Sequence, residues 1–268
     1  MRPETSPTDH IFVLTDRHDY FVISWDSEKK TIRNEKSAQD VADRFLRDSP
    51  AGTKYIADPG GRMLGVHAYE GTFLALPLIQ AVADKRKRRK AGPIGVAGEL
   101  EGHYPIKMHE LVVADMVFLY GTDQPALAVL HEGNMSKPAM LSTYQVISGG
   151  GAWELQEWEH NSRPLEQEAK MLIPVPEPLG GVVVIGDRKI SYWPVQKDGL
   201  GIFHLVVEAS RFVSWGMIDT QRFLLSDGNG NLSLLFLELD SPKQVREIKI
   251  ETIGQVGSST PAIYGWFD

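Results

Sequence analysis

Asp227, Asn229, Asn231 and Glu238 stand at positions one, three, five and twelve of the stretch "DGNGNLSLLFLE". An EF-hand loop presents its calcium-binding oxygens at that spacing. The sixth position, where such a loop needs glycine for its sharp turn, is Leu232, and both flanks read as strands where helices are required. Asn229-Gly230 is therefore read as a tight hairpin turn that needs positive φ. His103 and His109, with Glu110 beside the second, are the next residues with ligand chemistry. No third ligand accompanies them, and no spacing sets both rings on one face, so they are read as surface histidines. The chain has no cysteine, which excludes disulfides, thiolate metal sites and cysteine nucleophiles. There is no Gly-x-Ser-x-Gly, no P-loop, and no glycine fingerprint behind a strand, since Gly92, Gly95 and Gly98 follow none. The expectation is a protein that is not an enzyme, with no catalytic residue, no cofactor, no metal and no small-molecule substrate.

"KRKRRK", residues 85–90, is the densest charge in the chain. Six like charges beside glycine and proline read as an exposed loop or a nuclear import signal. Direct nucleic-acid binding is opposed by the whole-chain balance of 28 Lys and Arg against 35 Asp and Glu, a net charge of −7. Affinity for nucleic acid comes mainly from neutralising phosphates. No apolar run reaches the length of a signal peptide core or a membrane span, so a soluble intracellular protein without membrane contact is expected.

Few residues here could do chemistry, so the elements that would position them carry more information. "VPEPLGGVVVIGDRKISYW" (175–193) holds a proline-spaced segment, a glycine pair and four β-branched residues, then a polar break and a second apolar run. The prolines favour an extended approach, Val182 to Ile185 read as a short buried strand, and the whole as a hairpin. The same form recurs at 11–26, 62–78, 116–133 and 222–239, with starts 40 to 66 residues apart, and further strands are expected at 139–147 and 244–254. A hairpin every forty to fifty residues or so, with extra strands between, is the signature of four-stranded propeller blades. A β-sandwich is the plainer alternative. One helix is expected at 36–49, where Val41, Phe45 and Leu46 share a side, and loops are expected at 83–105, 147–153 and 157–170.

The order of motifs extends this reading. "IADPGGRMLGVHAYEGTF", "FLYG", "LIPVPEPLGGVVVIGDRKISY" and "QRFLLSDGNGNLSLLFLEL" resemble, in sequence and order, the first propeller of the damage-specific DNA-binding protein 1 family. The wider group includes the large cleavage and polyadenylation factor subunit and the splicing factor 3B propeller subunit. The resemblance covers residues 9–268, and its most specific elements are Asp58-Pro59 with Arg62, Val175 to Pro178 with Gly180, Gly181 and Gly186, and Arg222 to Gly230 with Leu232. The basic run at 85–90 lies outside the shared pattern.

The resemblance implies an all-β fold, with residues 1–268 forming a partial N-terminal β-propeller of about five to six blades. An open arc, lacking both strands of the ring closure and prone to aggregate alone, is expected. It further implies a non-enzymatic scaffold resembling the receptor-binding first propeller of a cullin-RING ubiquitin-ligase adaptor in DNA repair. A propeller scaffold of pre-mRNA cleavage or splicing is the alternative. The expected partners are substrate-receptor proteins, with DNA reached only through them and the cullin contact lying on another propeller. The expected compartment is the nucleus, with cytoplasm besides. By loose alignment with the family's receptor-binding face, Glu208, Tyr264 and Trp266 are the candidate contacts, with Tyr264 and Trp266 equally readable as blade core.

Overall fold

The computed structural model describes residues 10–15, 19–26, 29–38, 46–78, 100–132, 139–149, 152–158, 163–165, 168–194, 202–208, 211–242 and 244–255. Among these residues there are twenty strands and no helix. The strands form five antiparallel sheets, each running through strands in chain order. The first holds β1 (His10–Leu14), β2 (Tyr20–Asp26) and β3 (Thr31–Ala38), and the second β4 (Lys54–Ala57), β5 (Met63–Tyr69), β6 (Thr72–Pro77) and β7 (Tyr104–Lys107). In the third, β8 (Val113–Phe118), β9 (Ala126–His131), β10 (Met140–Gly149) and β11 (Ala152–Glu157) are joined by β12 (Arg163–Pro164), which pairs with β10. The fourth is β13 (Met171–Pro174), β14 (Val182–Ile185), β15 (Lys189–Trp193) and β16 (Phe203–Val206). The fifth is β17 (Phe212–Met217), β18 (Arg222–Asp227), β19 (Asn231–Ser241) and β20 (Gln244–Gln255). All five hairpins expected from the sequence are present, as β1–β2, β5–β6, β8–β9, β14–β15 and β18–β19.

The chain divides into two compact units, residues 1–112 with 147–155, and residues 113–146 with 156–268. In the first unit, Tyr20 and Val22 of β2 pack with Val66, Ala68 and Tyr69 of β5, and with Leu74 and Leu76 of β6. In the second, β14 explains why its sequence is an unbroken aliphatic run. Val182 and Val184 join Leu119, Ala128, Leu130 and Leu141 in one core. Val183 and Ile185 join Phe223, Leu225, Leu235 and Leu237 in another. A strand buried on both faces needs apolar residues at successive positions, not at alternate ones. Each such side chain contributes about 1.5–3 kcal/mol by leaving water. Asp115 of β8 adds a polar tie to this unit, its Oδ2 accepting the backbone N–H of Leu172 on β13 at 2.7 Å and its Oδ1 that of Met116 at 2.9 Å.

Three expectations need correction. Lys36 to Ala38 belong to β3, paired with Val22 to Tyr20, and Leu46 to Ser49 form a bend and a bridge between Asp48 and Tyr69. Pairing with β2 outweighs the helical spacing there; residues 39–45 of the expected helix lie outside the described residues. The expected loops are shorter than read, because Leu100 bridges to Leu78, β7 begins at Tyr104, β10 runs to Gly149, β11 starts at Ala152 and β12 lies within 157–170. The proline segment does not arrive straight. β13 leads into a turn in which Gly180 N–H donates to Pro176 O and Val175 N–H to Gly181 O, both at 3.0 Å. Gly181 has φ +87°, and a Cβ there would lie 2.4 Å from the Trp193 carbonyl, so only glycine fits.

Candidate interaction surface

Of the four polar residues singled out by spacing, Asp227, Asn229 and Asn231 stand at the turn between β18 and β19, whereas Glu238 lies within β19 and its Oε1 accepts the Lys249 ammonium at 2.6 Å. Asp227, ending β18, accepts the backbone N–H of Asn229 at 2.8 Å and of Asn231 at 2.9 Å, and the Asn231 side-chain amide at 2.7 Å. Those donors, the Asn231 amide foremost, hold its carboxyl below the usual range against the effect of burial. Gly230 has φ +82°, as the hairpin reading requires. This is turn chemistry: the carboxylate oxygens face amide donors. Asp58 does the same work between β4 and β5. Buried, it accepts Arg62 Nε at 2.7 Å, a second guanidinium nitrogen at 2.8 Å and the Arg62 backbone N–H at 3.1 Å. The family-specific residues Asp58 and Arg62 are thus a bidentate clamp on a turn.

His103 and His109 are both exposed, and His103 meets Tyr20 edge-on with ring centres 6.2 Å apart. No three His, Asp or Glu side chains converge as metal ligands among the described residues. His67 on β5, by contrast, drew no notice in the sequence. It is fully buried, one ring nitrogen meets the Thr72 carbonyl at 2.9 Å, and no hydrogen-bond partner reaches Nε2. Burial first, with Lys54 adding to it, lowers its pKa, while the Thr72 carbonyl and Glu110 act in the opposite direction.

Of the three residues named as partner contacts, Glu208 is exposed in the bend after β16, beside the exposed Val206. Tyr264 and Trp266 lie outside the described residues, as does the basic run at 85–90. One surface the sequence did not single out is the outward face of the first sheet. Ile11 pairs with Ile23, Val13 with Phe21, and Trp25 with Ile32, so these side chains share one face. Ile11, Trp25 and Ile32 are 59%, 51% and 68% exposed. The opposite face carries Phe12, Leu14, Tyr20 and Val22 into the core. The signal was in "IFVL" and "YFVIS", which lack the polar alternation of a strand with one wet face.

The family model described as the RSE1/DDB1/CPSF1 first beta-propeller matches residues 1–265. DNA damage-binding protein 1 of Oryza sativa subsp. japonica is 31% identical over 265 residues, covering 98% of this chain and 22% of that protein. DNA damage-binding protein 1 of Solanum lycopersicum and DNA damage-binding protein 1b of Arabidopsis thaliana match with the same identity and coverage. The chain therefore spans 22% of the length of these relatives. Sheets of short antiparallel strands, each a hairpin extended on its flanks, are the blades of a β-propeller, and the chain belongs to the RSE1/DDB1/CPSF1 first beta-propeller family.

Proposed function

We propose that the chain is a non-enzymatic protein-interaction scaffold of the repair branch, the receptor-binding propeller of a cullin-RING ubiquitin-ligase adaptor. The observation that supports this reading is the family match along 1–265 together with relatives that carry the DNA damage-binding name at 31% identity. The site chemistry is compatible with it, because the turn carboxylates Asp58 and Asp227 are spent on holding hairpins. Receptors would meet loops at strand ends, with Glu208, Tyr264 and Trp266 as contacts. DNA would be reached only through such a partner, given the net charge of −7. The protein would work in the nucleus and also in the cytoplasm. The pre-mRNA branch of the fold gains nothing from these relatives.

Affinity capture from nuclear extract with the full chain as bait, read by mass spectrometry, tests this. Enrichment of ubiquitin-ligase substrate receptors is expected, and Tyr264→Ala should reduce it. Recovery of cleavage, polyadenylation or splicing factors in their place would overturn the repair reading.

A further inference from the structure

The turn between β18 and β19 holds the one asparagine of the sequence that precedes a glycine, Asn229-Gly230. Besides closing the hairpin, this pair has a reactivity of its own. The side-chain amide of an asparagine is open to attack by the backbone nitrogen of the next residue, and a glycine there, with no Cβ, leaves the approach unobstructed. Asparagine is counted among the thermolabile residues.

The turn treats its two asparagines differently. Asn229 is exposed, and both of its hydrogen bonds with described residues run through its backbone: its N–H donates to Asp227 Oδ1 at 2.8 Å, and its carbonyl accepts Gln255 Nε2 at 3.3 Å. Asn231 is half-buried, its side-chain amide is tied to Asp227 Oδ2 at 2.7 Å, and the residue after it is Leu232. The Gly230 nitrogen, which would attack Asn229, donates its hydrogen to the Asp227 carbonyl at 3.2 Å. That is longer than the bonds of 2.8 and 2.9 Å that Asp227 Oδ1 accepts from the backbone of Asn229 and Asn231. The same Gly230 N–H also meets the Asp227 carboxylate, an ionised acceptor able to take a proton.

We propose that Asn229 is a site of self-modification, where the turn converts its own asparagine into an aspartyl or isoaspartyl residue. The Gly230 nitrogen bonds to Cγ of Asn229, and its proton passes by way of the Asp227 carboxylate to the departing amide. The Cγ–Nδ2 bond breaks and ammonia leaves. Water then opens the five-membered imide so formed. Opening at one carbonyl gives an aspartate, and opening at the other routes the backbone through the former side chain as an isoaspartyl linkage. Either product sets a second carboxylate beside Asp227, where like charges oppose one another. The isoaspartyl form also adds a carbon to a turn whose register is fixed by Ser226 facing Leu232, so it loosens the hairpin. This reaction needs no receptor and stands apart from the scaffold reading.

The test is to hold the full chain at physiological temperature and mildly alkaline pH, then digest samples over time and map them by mass spectrometry. Electron-transfer fragmentation separates aspartyl from isoaspartyl products. A synthetic peptide spanning Ser226 to Leu232 runs beside the chain as an unfolded reference. Conversion at Asn229 in the folded chain is expected, largely to the isoaspartyl form, before any loss at Asn231 is measurable. Asn229→Ser should remove the isoaspartyl signal from this segment. Because Asn229 is exposed, this variant should melt with the fresh chain, whereas the aged wild-type fraction should melt below both. An Asn229 that stays intact in the folded chain while the peptide converts fully would overturn the proposal, because the turn would then protect it. Loss at Asn231 as fast as at Asn229 would overturn it as well.

Discussion

In β14, Val182, Val183, Val184 and Ile185 are all buried, whereas in β1, built from equally apolar residues, Ile11 and Val13 are exposed and Phe12 and Leu14 only partly covered. The two strands differ in what surrounds them. β14 has an apolar core against each face. The first sheet has one, against β5 and β6. An aliphatic run thus records that both faces are chemically suited to contact, and it leaves open whether both are covered in a given chain. The outward face of the first sheet is one place among the described residues where apolar side chains lie open to solvent.

The comparison is tested hardest in the doubly covered region. Phe223→Ala, in the core shared by the fourth and fifth sheets, should cost about 3–5 kcal/mol in urea unfolding, because the site is close-packed and collapses little. A loss no larger than that of a surface substitution would show that the two sheets do not depend on each other. Gly181→Ala should cost about 3 kcal/mol, since it forces positive φ on a residue whose Cβ also strikes the Trp193 carbonyl. Wild-type stability in that variant would mean that the turn after β13 can be rebuilt.

The first unit should differ in its response to acid. His67 is held neutral by burial, with a folded pKa below its unfolded value of about 6.5. As pH falls below that value, the unfolded chain takes up a proton that the folded chain resists, so stability falls until the folded pKa is passed. Denaturation midpoints between pH 7.5 and 5 or so should decline, and His67→Gln should flatten the decline. An unchanged slope in a folded His67→Gln would remove His67 as its source. The smallest effect belongs to the singly covered sheet. Ile32→Thr should change stability by no more than about 0.5 kcal/mol while reducing self-association in light scattering. A loss of several times that amount would show that this face is covered in the folded chain.

How much of this could be read from the sequence follows the same division. The hairpins were legible because each is local: a polar break such as Gly186 to Lys189 between β-branched runs fixes its turn. The 36–49 segment was misread because Lys36 to Ala38 are recruited by β2, a tertiary pairing that local periodicity cannot show. His67 escaped notice for a related reason. A lone histidine in an apolar strand has no distinctive spacing in the chain, and only the pairing of β5 with β6 and its burial set it against the Thr72 carbonyl. Glu208 was placed by resemblance and is exposed, as a contact must be, but exposure is the ordinary state of a glutamate.

The two-sided burial of β14 carries one more consequence, for how substitutions combine. Val183 and Val184 are joined by a peptide bond, yet one contacts the core with Phe223 and Leu235 and the other the core with Leu130 and Leu141. Coupling energies follow shared contacts, not sequence neighbourhood. Paired changes at Val183 and Leu235 will therefore be strongly non-additive, while paired changes at the adjacent Val183 and Val184 will come close to a simple sum. The strand works as a partition, and the effects of a substitution stay on the side to which its side chain points.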